Sequence, residues 1–243
     1  RARLMGLPKE LPNLRLIGFG VTEAGIKRDS QTITDLAEFL YRCFQADAAR
    51  SLSVLNTDNI QGNGDLIRQH VLESRFTIQQ EPEFEAWLRS HVTFHNTMVD
   101  RIVGSRGPDG VAVTVPKTEP LPKKALVIED LEGVLPEGFS ALPGVHIRWR
   151  PGEIQQDHAV KLRIVNAIHT AMVYVAALSG LRYTKDAIKD SAIQAYLDRL
   201  FTQDLRIVQD ELNLPPGGAQ AQYEEWIQRV HNPGIDHDVF WIA

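Results

Sequence analysis

Cysteine is nearly absent from the sequence. Cys43 is the only one among 243 residues, which excludes a disulfide framework and a thiolate metal site. It lies in the apolar stretch LAEFLYRCF, and no base is placed to activate it, so a small core residue is a better interpretation than a catalytic thiol. The single thiol and the lack of a signal-peptide apolar core in RARLMGLPKELP predict a reducing, cytoplasmic location.

Clusters of positive charge are also missing. The formal net charge is −5, and no Lys/Arg cluster is longer than the pair Lys123-Lys124. A protein that binds duplex nucleic acid usually presents a basic face. Nucleic acid is therefore not expected as a partner.

Long hydrophobic runs without polar residues do not occur either. The run IVNAIHTAMVYVAALSGLR (164–182) approaches the length of a transmembrane helix. Asn166 and His169 interrupt it, and Lys161 and Arg163 come just before it. These groups predict a central helix of a soluble α domain, with no membrane partner.

The first half of the sequence alternates between strand and helix signals, which is typical of a parallel α/β sheet. The predicted segments are a strand in 13–26 that ends near Thr22, a helix at 30–47 with Asp29 or Ser30 as its N-cap, a strand at 51–59 and a helix at 61–74. Further strands are predicted at 110–115, 124–130 and 144–149, separated by turns rich in proline and glycine.

After Pro151 the apolar spacing predicts almost only helices. They are expected at about 154–179, 184–212 and 219–230. We therefore predict two parts, an α/β part at 1–150 and an all-helical part at 151–243.

Two polar segments are candidates for a ligand site. NTDNIQGNG (56–64) follows a predicted strand, and HNTMVDRI (95–102) is polar at Asn96 and Asp100. Ligands of open α/β sheets bind outside the carboxyl ends of the strands. Taken singly, each segment is explained as well by an ordinary turn rich in asparagine, aspartate and glycine.

The stretch KLRIVNAIHTAMVYVAAL (161–178) reads as one apolar helix that is buried all round, yet it carries Lys161, Asn166 and His169. At 100° per residue these three and His158 fall on one side of the helix. A desolvated lysine, with its pKa brought to about 7–8, is a competent general base, and the amide and the imidazole suit a developing oxyanion. The alternative is that Lys161 reaches solvent along the helix while the other two satisfy nearby backbone groups.

The spacing K-x4-N-x2-H at these three residues resembles the signature of the mannitol dehydrogenase family, the long-chain polyol dehydrogenases. Four other segments resemble family motifs in the same order along the chain. They are VTEAGI (21–26), NTDNIQGNGD (56–65), VTFHNTMVDRI (92–102) and KTEPLPKKALVIED (117–130).

The resemblance implies interconversion of a polyol and a ketose with NAD or NADP, of which NAD is favoured, and without a metal. It implies that Lys161 is the general base, that Asn59 and Asn166 form an oxyanion hole, and that His169 orients the substrate. It also implies a Rossmann-type nucleotide domain that meets a helical domain across a substrate cleft. We expect a monomer.

The resemblance further implies that Asp100 and Val99 bind the substrate. His158 stands where mannitol-oxidising members have a glutamate that gates proton release, and Trp241 stands where they have an arginine. The family's Gly-rich dinucleotide loop is not in this chain, and GFG (18–20) does not replace it. We therefore expect a fragment of a longer protein, and the residues of the main cofactor site stay unknown.

The substrate is open at this point. Asp100 favours a neutral polyol of the mannitol and fructose kind, because a carboxylate repels an anionic group. His158 and Arg163 would instead suit a hexuronate (fructuronate or tagaturonate) reductase or a sugar-phosphate dehydrogenase of the same family. A non-catalytic binding module is the third possibility.

Overall fold

The computed structural model of the protein describes residues 1–103, 118–119 and 124–242. The chain forms two compact units, Arg1–Val99 with Lys124–Ile154 and Asp100–Lys123 with Gln155–Ala243. Asp100 and Glu119 thus belong to the helical unit, whereas the sequence predicted a boundary near residue 150. The strand predicted at 110–115 and the side chain of Trp241 lie outside the described residues.

The first unit contains a parallel three-stranded sheet, as the alternating pattern predicted. Its strands are β1 (Leu16–Phe19), β2 (Leu52–Asn56) and β3 (Val92–His95), paired in the order β1-β2-β3. All five residues of β2 are buried, which suits a central strand covered on both faces. β1 ends at Phe19, earlier than the predicted Thr22, and a short 3₁₀ turn (Glu23–Gly25) follows.

A second, mixed sheet lies in the same unit. β4 (Thr97–Val99) pairs antiparallel with β5 (Leu126–Glu129), and β5 pairs parallel with β6 (Val145–Arg148). The strands predicted at 124–130 and 144–149 are therefore present. In the segment 95–102, which was expected to be a polar loop, His95 and Thr97–Val99 are strand residues, and Met98 is buried in an apolar cluster with Val127 and Ile154.

Helices of the first unit share one apolar core with the parallel sheet, through apolar positions three and four residues apart. In the helix Gln31–Ala46, the hydroxyl of Ser30 accepts the backbone N–H of Ile33 at 3.2 Å, so Ser30 is the N-cap. Cys43 is fully buried there, and burial raises its pKa to about 11, so the thiol is a core group. The helices are α1 (Ala2–Glu10), α2 (Gln31–Ala46), α3 (Asn63–Leu72), α4 (Arg75–Ile78) and α5 (Pro82–His91).

The described residues of the second unit are mostly helical, apart from stretches such as 100–103 and 118–119. The unit has its own apolar core, which includes Ile164, Ile168, Met172 and Trp226. Its helices are α6 (Glu153–Val160), α7 (Ala167–Leu178), α8 (Thr184–Ala187), α9 (Ser191–Leu200), α10 (Val208–Glu211), α11 (Gly218–Val230) and α12 (Val239–Ile242), with π-helical segments at Lys161–Asn166 and Phe201–Leu205.

α6, the first π-helical segment and α7 form one continuous helix, Glu153–Leu178. The expectation that it is buried all round is wrong, because Leu162 is 65% exposed, Tyr174 54% and Leu178 90%. The helix is long and apolar enough to span a membrane, but the core helices of soluble proteins often have the same length and composition. Ile164 and Ile168 on its other face are fully buried in the core of the unit.

Candidate functional site

The structure places Lys161 at the start of the π-helical segment Lys161–Asn166, beside Asp100. The Lys161 ammonium nitrogen lies 3.9 Å from Oδ1 of Asp100, and the two side chains are 13% and 18% exposed. Burial lowers the pKa of Lys161, the Asp100 carboxylate opposes that effect, and the nearby Arg229 guanidinium adds to it. The lysine is therefore buried and easier to deprotonate than a surface lysine, as a general base requires.

Arg229 of α11 binds the carboxylate that faces Lys161. Its Nη1 donates to Oδ2 of Asp100 at 2.8 Å, and its Nε and Nη2 donate to the two oxygens of Glu119 at 2.9 and 2.8 Å. Glu119 is 4% exposed and also accepts the backbone N–H of Ile102 at 2.9 Å. Burial opposes the charge of Arg229, but the hydrogen bonds to Glu119 and Asp100 outweigh it and raise the pKa of the guanidinium.

Sequence reasoning did not find Arg229 or Glu119. They are 110 residues apart in the chain, so no spacing signal links them. Glu119 lies in the segment KTEPLPKKALVIED that resembles a family motif, which was the one indication that it has a role.

His169 lies in α7, and its protonation state follows from its contacts. The indole N–H of Trp226 donates to Nδ1 of His169 at 3.3 Å, with the rings edge-on at 88°. Burial lowers the pKa of His169 to about 4, and His237 and Arg229 add to the shift. The ring is therefore neutral near pH 7, and since Nδ1 accepts, the proton belongs on Nε2.

Nε2 of His169 is buried and has no hydrogen-bond partner among the described residues. A buried donor without a partner costs free energy unless a ligand or water satisfies it. Nδ1 of His237 is likewise buried and has no hydrogen-bond partner among the described residues. The ring centroids of His237 and His169 lie 5.2 Å apart. Burial lowers the pKa of His237 as well. His237 was not predicted, since it follows the polar turn at 231–236 without any motif.

The other two predicted site residues of this unit are more exposed to solvent. Asn166 is exposed at the end of the π-helical segment, and His158 is half-buried in α6. The angles calculated at 100° per residue do not apply between Lys161 and Asn166, because a π-helix bonds residue i to i+5. The prediction that all four groups share one buried side of the helix is therefore wrong for Asn166.

Asn59 and Val99 lie together in the first unit. The backbone N–H of Val99 donates to Oδ1 of Asn59 at 3.1 Å, which leaves the NH₂ end of the Asn59 amide as its donor. The loop also contains the turn that the alternative interpretation expected, since Oδ1 of Asp58 accepts the N–H of Ile60 at 2.8 Å. Asn59 is exposed, and its side-chain oxygen is held by Val99 at the end of the 97–99 strand.

Hydrogen bonding and steric fit explain why Asn63 and Gly64 follow one another in this loop. Asn63 is buried, and its Nδ2 donates to the Thr97 hydroxyl oxygen at 3.0 Å. In return, the backbone N–H of Thr97 donates to Oδ1 of Asn63 at 2.9 Å. A Cβ on Gly64 would lie 2.4 Å from the carbonyl oxygen of His95, so only glycine fits at the start of α3. These contacts fasten the loop to the carboxyl end of β3.

One buried group in the first unit fits a cofactor. Asn56 ends β2 and is 1% exposed, yet neither polar atom of its side chain has a partner among the described residues. Carboxyl ends of parallel strands are where open α/β sheets bind dinucleotides, and an amide that both donates and accepts suits a nicotinamide carboxamide. No group of three or more potential metal ligands occurs among the described residues.

Two protein-family profiles match the sequence of this chain. The profile of the mannitol dehydrogenase Rossmann domain matches residues 9–140, and that of the mannitol dehydrogenase C-terminal domain matches residues 154–243. The chain belongs to the mannitol dehydrogenase family. This confirms the resemblance found in the sequence and the order of a Rossmann-type part followed by a helical part.

Individual relatives of the family are distant in sequence. A mannitol 2-dehydrogenase of Phaeosphaeria nodorum is 27% identical over 94% of this chain and 44% of that enzyme. An altronate oxidoreductase of Bacillus subtilis is 26% identical over 95% of this chain and 51% of that enzyme. The chain thus spans about half the length of these relatives.

Solved structures show the same fold. The mannitol 2-dehydrogenase of Pseudomonas fluorescens, in a ternary complex with NAD and D-mannitol, has a TM-score of 0.71 and 19% identity, and it covers all of this chain. A D-sorbitol dehydrogenase has a TM-score of 0.74 and 21% identity. The chain corresponds to 54% of either structure.

Proposed function

We propose that this chain belongs to an NAD(P)-dependent oxidoreductase that interconverts a polyol and a ketose, with Lys161 as the general base. The observation that carries the proposal is the buried Lys161, 3.9 Å from Asp100 and with a lowered pKa. An ammonium in such a place costs free energy, and proton transfer at the substrate hydroxyl gives it a chemical role. NAD is the favoured cofactor.

A bound nicotinamide cofactor would accept a hydride from the carbon that bears the reacting hydroxyl. Asn56 is the residue of this chain that we infer holds its amide. In oxidation, Lys161 takes the proton of the hydroxyl as the carbonyl forms, and in reduction it returns that proton. The lowered pKa of Lys161 places the transfer closer to neutral pH than an ordinary lysine would.

Two donors are suited to the reacting oxygen. His169 offers the proton on Nε2, which has no partner among the described residues and is fixed in direction by Trp226 at Nδ1. Asn166 offers an exposed amide at the end of the π-helical segment that begins at Lys161. Preorganised donors of this kind stabilise the negative charge that develops on oxygen. The pairing of Asn59 with Asn166 at one oxygen stays a prediction of the family resemblance.

The charge beside Lys161 favours a neutral substrate. Arg229 is engaged by both Asp100 and Glu119, so with Lys161 deprotonated the cluster carries one excess negative charge. A carboxylate or phosphate placed there would meet repulsion. We therefore propose a polyol of the mannitol and fructose kind, with Asp100 accepting hydrogen bonds from its hydroxyls next to Val99.

A hexuronate reductase is the second candidate. The observation in its favour is that altronate oxidoreductases match this chain at 24–26% identity, close to the 25–28% of the mannitol 2-dehydrogenases. His158, half-buried one turn before Lys161, is the residue that we infer would contact the carboxylate of such a substrate.

The test is NADH oxidation by the protein as its gene encodes it, with fructose, fructuronate and tagaturonate as alternative substrates. We expect kcat/KM to be highest for fructose, and higher with NADH than with NADPH. A uronate preferred by more than tenfold would contradict the neutral-polyol assignment. No turnover of any of the three, with NADH bound, would contradict the proposed activity as a whole.

A further inference from the structure

The proposed base has a second cation close by, and the two compete for one carboxylate. Arg229 Nη1 lies 2.8 Å from Oδ2 of Asp100, which is a short charge-assisted hydrogen bond. The Lys161 ammonium lies 3.9 Å from the other oxygen, Oδ1, beyond hydrogen-bond distance. Asp100 is therefore bonded to Arg229 and is only a neighbour of Lys161.

Glu119 fixes Arg229 in this position. The two side chains form a bidentate pair at 2.8 and 2.9 Å, and Glu119 is also held by the N–H of Ile102. With Arg229 14% and Glu119 4% exposed, the pair is shielded from water, where charges act on one another strongly. The guanidinium is thus held between two carboxylates, and its fork geometry is one that a lysine cannot reproduce.

We propose that Arg229 is a positioning residue, which binds the Asp100 carboxylate and balances its charge so that Lys161 lies beside Asp100 without being locked to it as an ion pair. The inference rests on the proposed function, because it concerns the base of that reaction. Without Arg229, the Asp100 carboxylate would have Lys161 as its neighbouring cation and would hold its proton.

Other titratable groups lie on the helix of Lys161 and on the elements packed against it. The charges of Asp100 and Arg229 both act on Lys161, in opposite directions. The Lys161–Asn166 segment packs against α7, α11 and the second π-helical segment. The titratable groups on those elements and on its own helix, apart from Arg229, are Glu153, Asp157, His158, Arg163, His169, Tyr174, Asp204, Tyr223, Glu224 and Glu225. Of these, Arg163 is paired with Glu211, and Asp204 and Glu224 are exposed.

The decisive experiment measures the titration of Lys161 itself. The lysines of the protein are reductively methylated with ¹³C-formaldehyde, and the Lys161 resonance is assigned by its absence in Lys161→Arg. We expect it to titrate below the other lysines, and to move up by about one pH unit in Arg229→Met. Arg229→Lys, which keeps the charge, is expected to move it much less.

The matched control is Arg182→Met, which breaks an ion pair with Asp238 at 3.0 Å on a side chain that is 69% exposed. It removes one arginine from the same unit and leaves Asp100 paired, so the Lys161 titration is expected to stay unchanged. A Lys161 titration that is the same in Arg229→Met as in the parent would overturn the inference.

The pH dependence of kcat/KM is a second measurement. If Arg229 had a purely structural role, the inflection pH would not change on its substitution. In Arg229→Met, the inflection pH of kcat/KM should rise by about the same amount in polyol oxidation and in ketose reduction, since both depend on Lys161. A lower kcat/KM with an unmoved inflection, not restored in Arg229→Lys, would contradict the inference. If the parent turned over no substrate, the proposed function would fail, and the NMR titration would still decide the role of Arg229.

Discussion

At the scale of single residues, the neutral state of His169 is the feature with the clearest chemical consequence. Its Nδ1 accepts the indole N–H of Trp226, so its proton lies on the buried Nε2. A histidine that gained a proton at both nitrogens would lose this acceptor. The contact thus selects one tautomer as well as one orientation.

Replacing Trp226 tests this directly. In Trp226→Phe the indole donor is lost, and either tautomer of His169 becomes accessible. Since one hydrogen bond contributes about 1 kcal/mol, we expect kcat/KM for ketose reduction to fall about fivefold. The ¹⁵N shifts of the His169 ring should show a mixture of tautomers.

Trp87→Phe is the matched control for this substitution. Trp87 is buried in the first unit, and its indole N–H has no partner among the described residues. We expect kcat/KM to stay within twofold of the parent. A single Nε2–H tautomer and an unchanged kcat/KM in Trp226→Phe would show that Trp226 does not set the state of His169.

At the scale of elements, the π-helical segment Lys161–Asn166 places the proposed base. Its wider turn rotates Lys161 relative to the α7 residues that follow, among them His169. It packs against α11, which carries Arg229 and Trp226, and against the second π-helical segment at 201–205. Such segments occur frequently at functional sites.

Deleting Leu162 should convert the segment towards a regular α-helix and turn Lys161 away from its present direction. Because the Leu162 side chain is 65% exposed, its loss leaves no cavity. We expect the helical circular dichroism signal to be kept and polyol oxidation to fall by at least about a hundredfold, a loss within the range that general acid–base catalysis contributes. In Leu162→Ala, which keeps the chain length, we expect activity close to that of the parent. Equal activity in both variants would contradict a role of the π-helical geometry.

The π-helical segment could not be read from the sequence, and this marks the limit of periodicity arguments. The apolar spacing predicted one long helix at 154–179, and the continuous helix Glu153–Leu178 matches it closely. An extra residue in one turn leaves that pattern almost unchanged, since Ile164, Ile168 and Met172 still reach the core. Only the i to i+5 backbone hydrogen bonds of the folded helix reveal it.

At the scale of the whole molecule, buried histidines couple stability to pH. The pKa of His169 falls from 6.5 to about 4 on folding because the ring is buried. Between these values the unfolded chain binds a proton that the folded protein does not, so the free energy of unfolding falls as the pH is lowered through this range. Above pH 6.5 the ring is neutral in both states and the effect vanishes.

We expect His169→Gln to weaken this acid sensitivity. The measurement is the free energy of unfolding by urea at pH 7 and pH 4.5, in the parent and in the variant. The parent should lose up to about 3 kcal/mol more than the variant over this interval. An equal loss in both proteins would show that His169 is not the group that titrates.

The sequence predicted the architecture better than it predicted the site. The parallel sheet, the helical second half and the Ser30 cap follow from local patterns, while the roles of Lys161 and Asp100 stay predictions of the family resemblance. Arg229, Glu119, Trp226 and His237 were missed because their roles come from contacts between distant parts of the chain. Such contacts leave no periodic signal.

The measurement that tests the central claim most directly is the rate of NADH-dependent fructose reduction in Lys161→Ala, in the protein as its gene encodes it. Loss of a general acid–base group predicts a fall in kcat by a factor of about 10²–10⁴. The control is Lys189→Ala, whose side chain is 59% exposed and whose activity should match the parent. If Lys161→Ala kept the parental rate, Lys161 would not be the base.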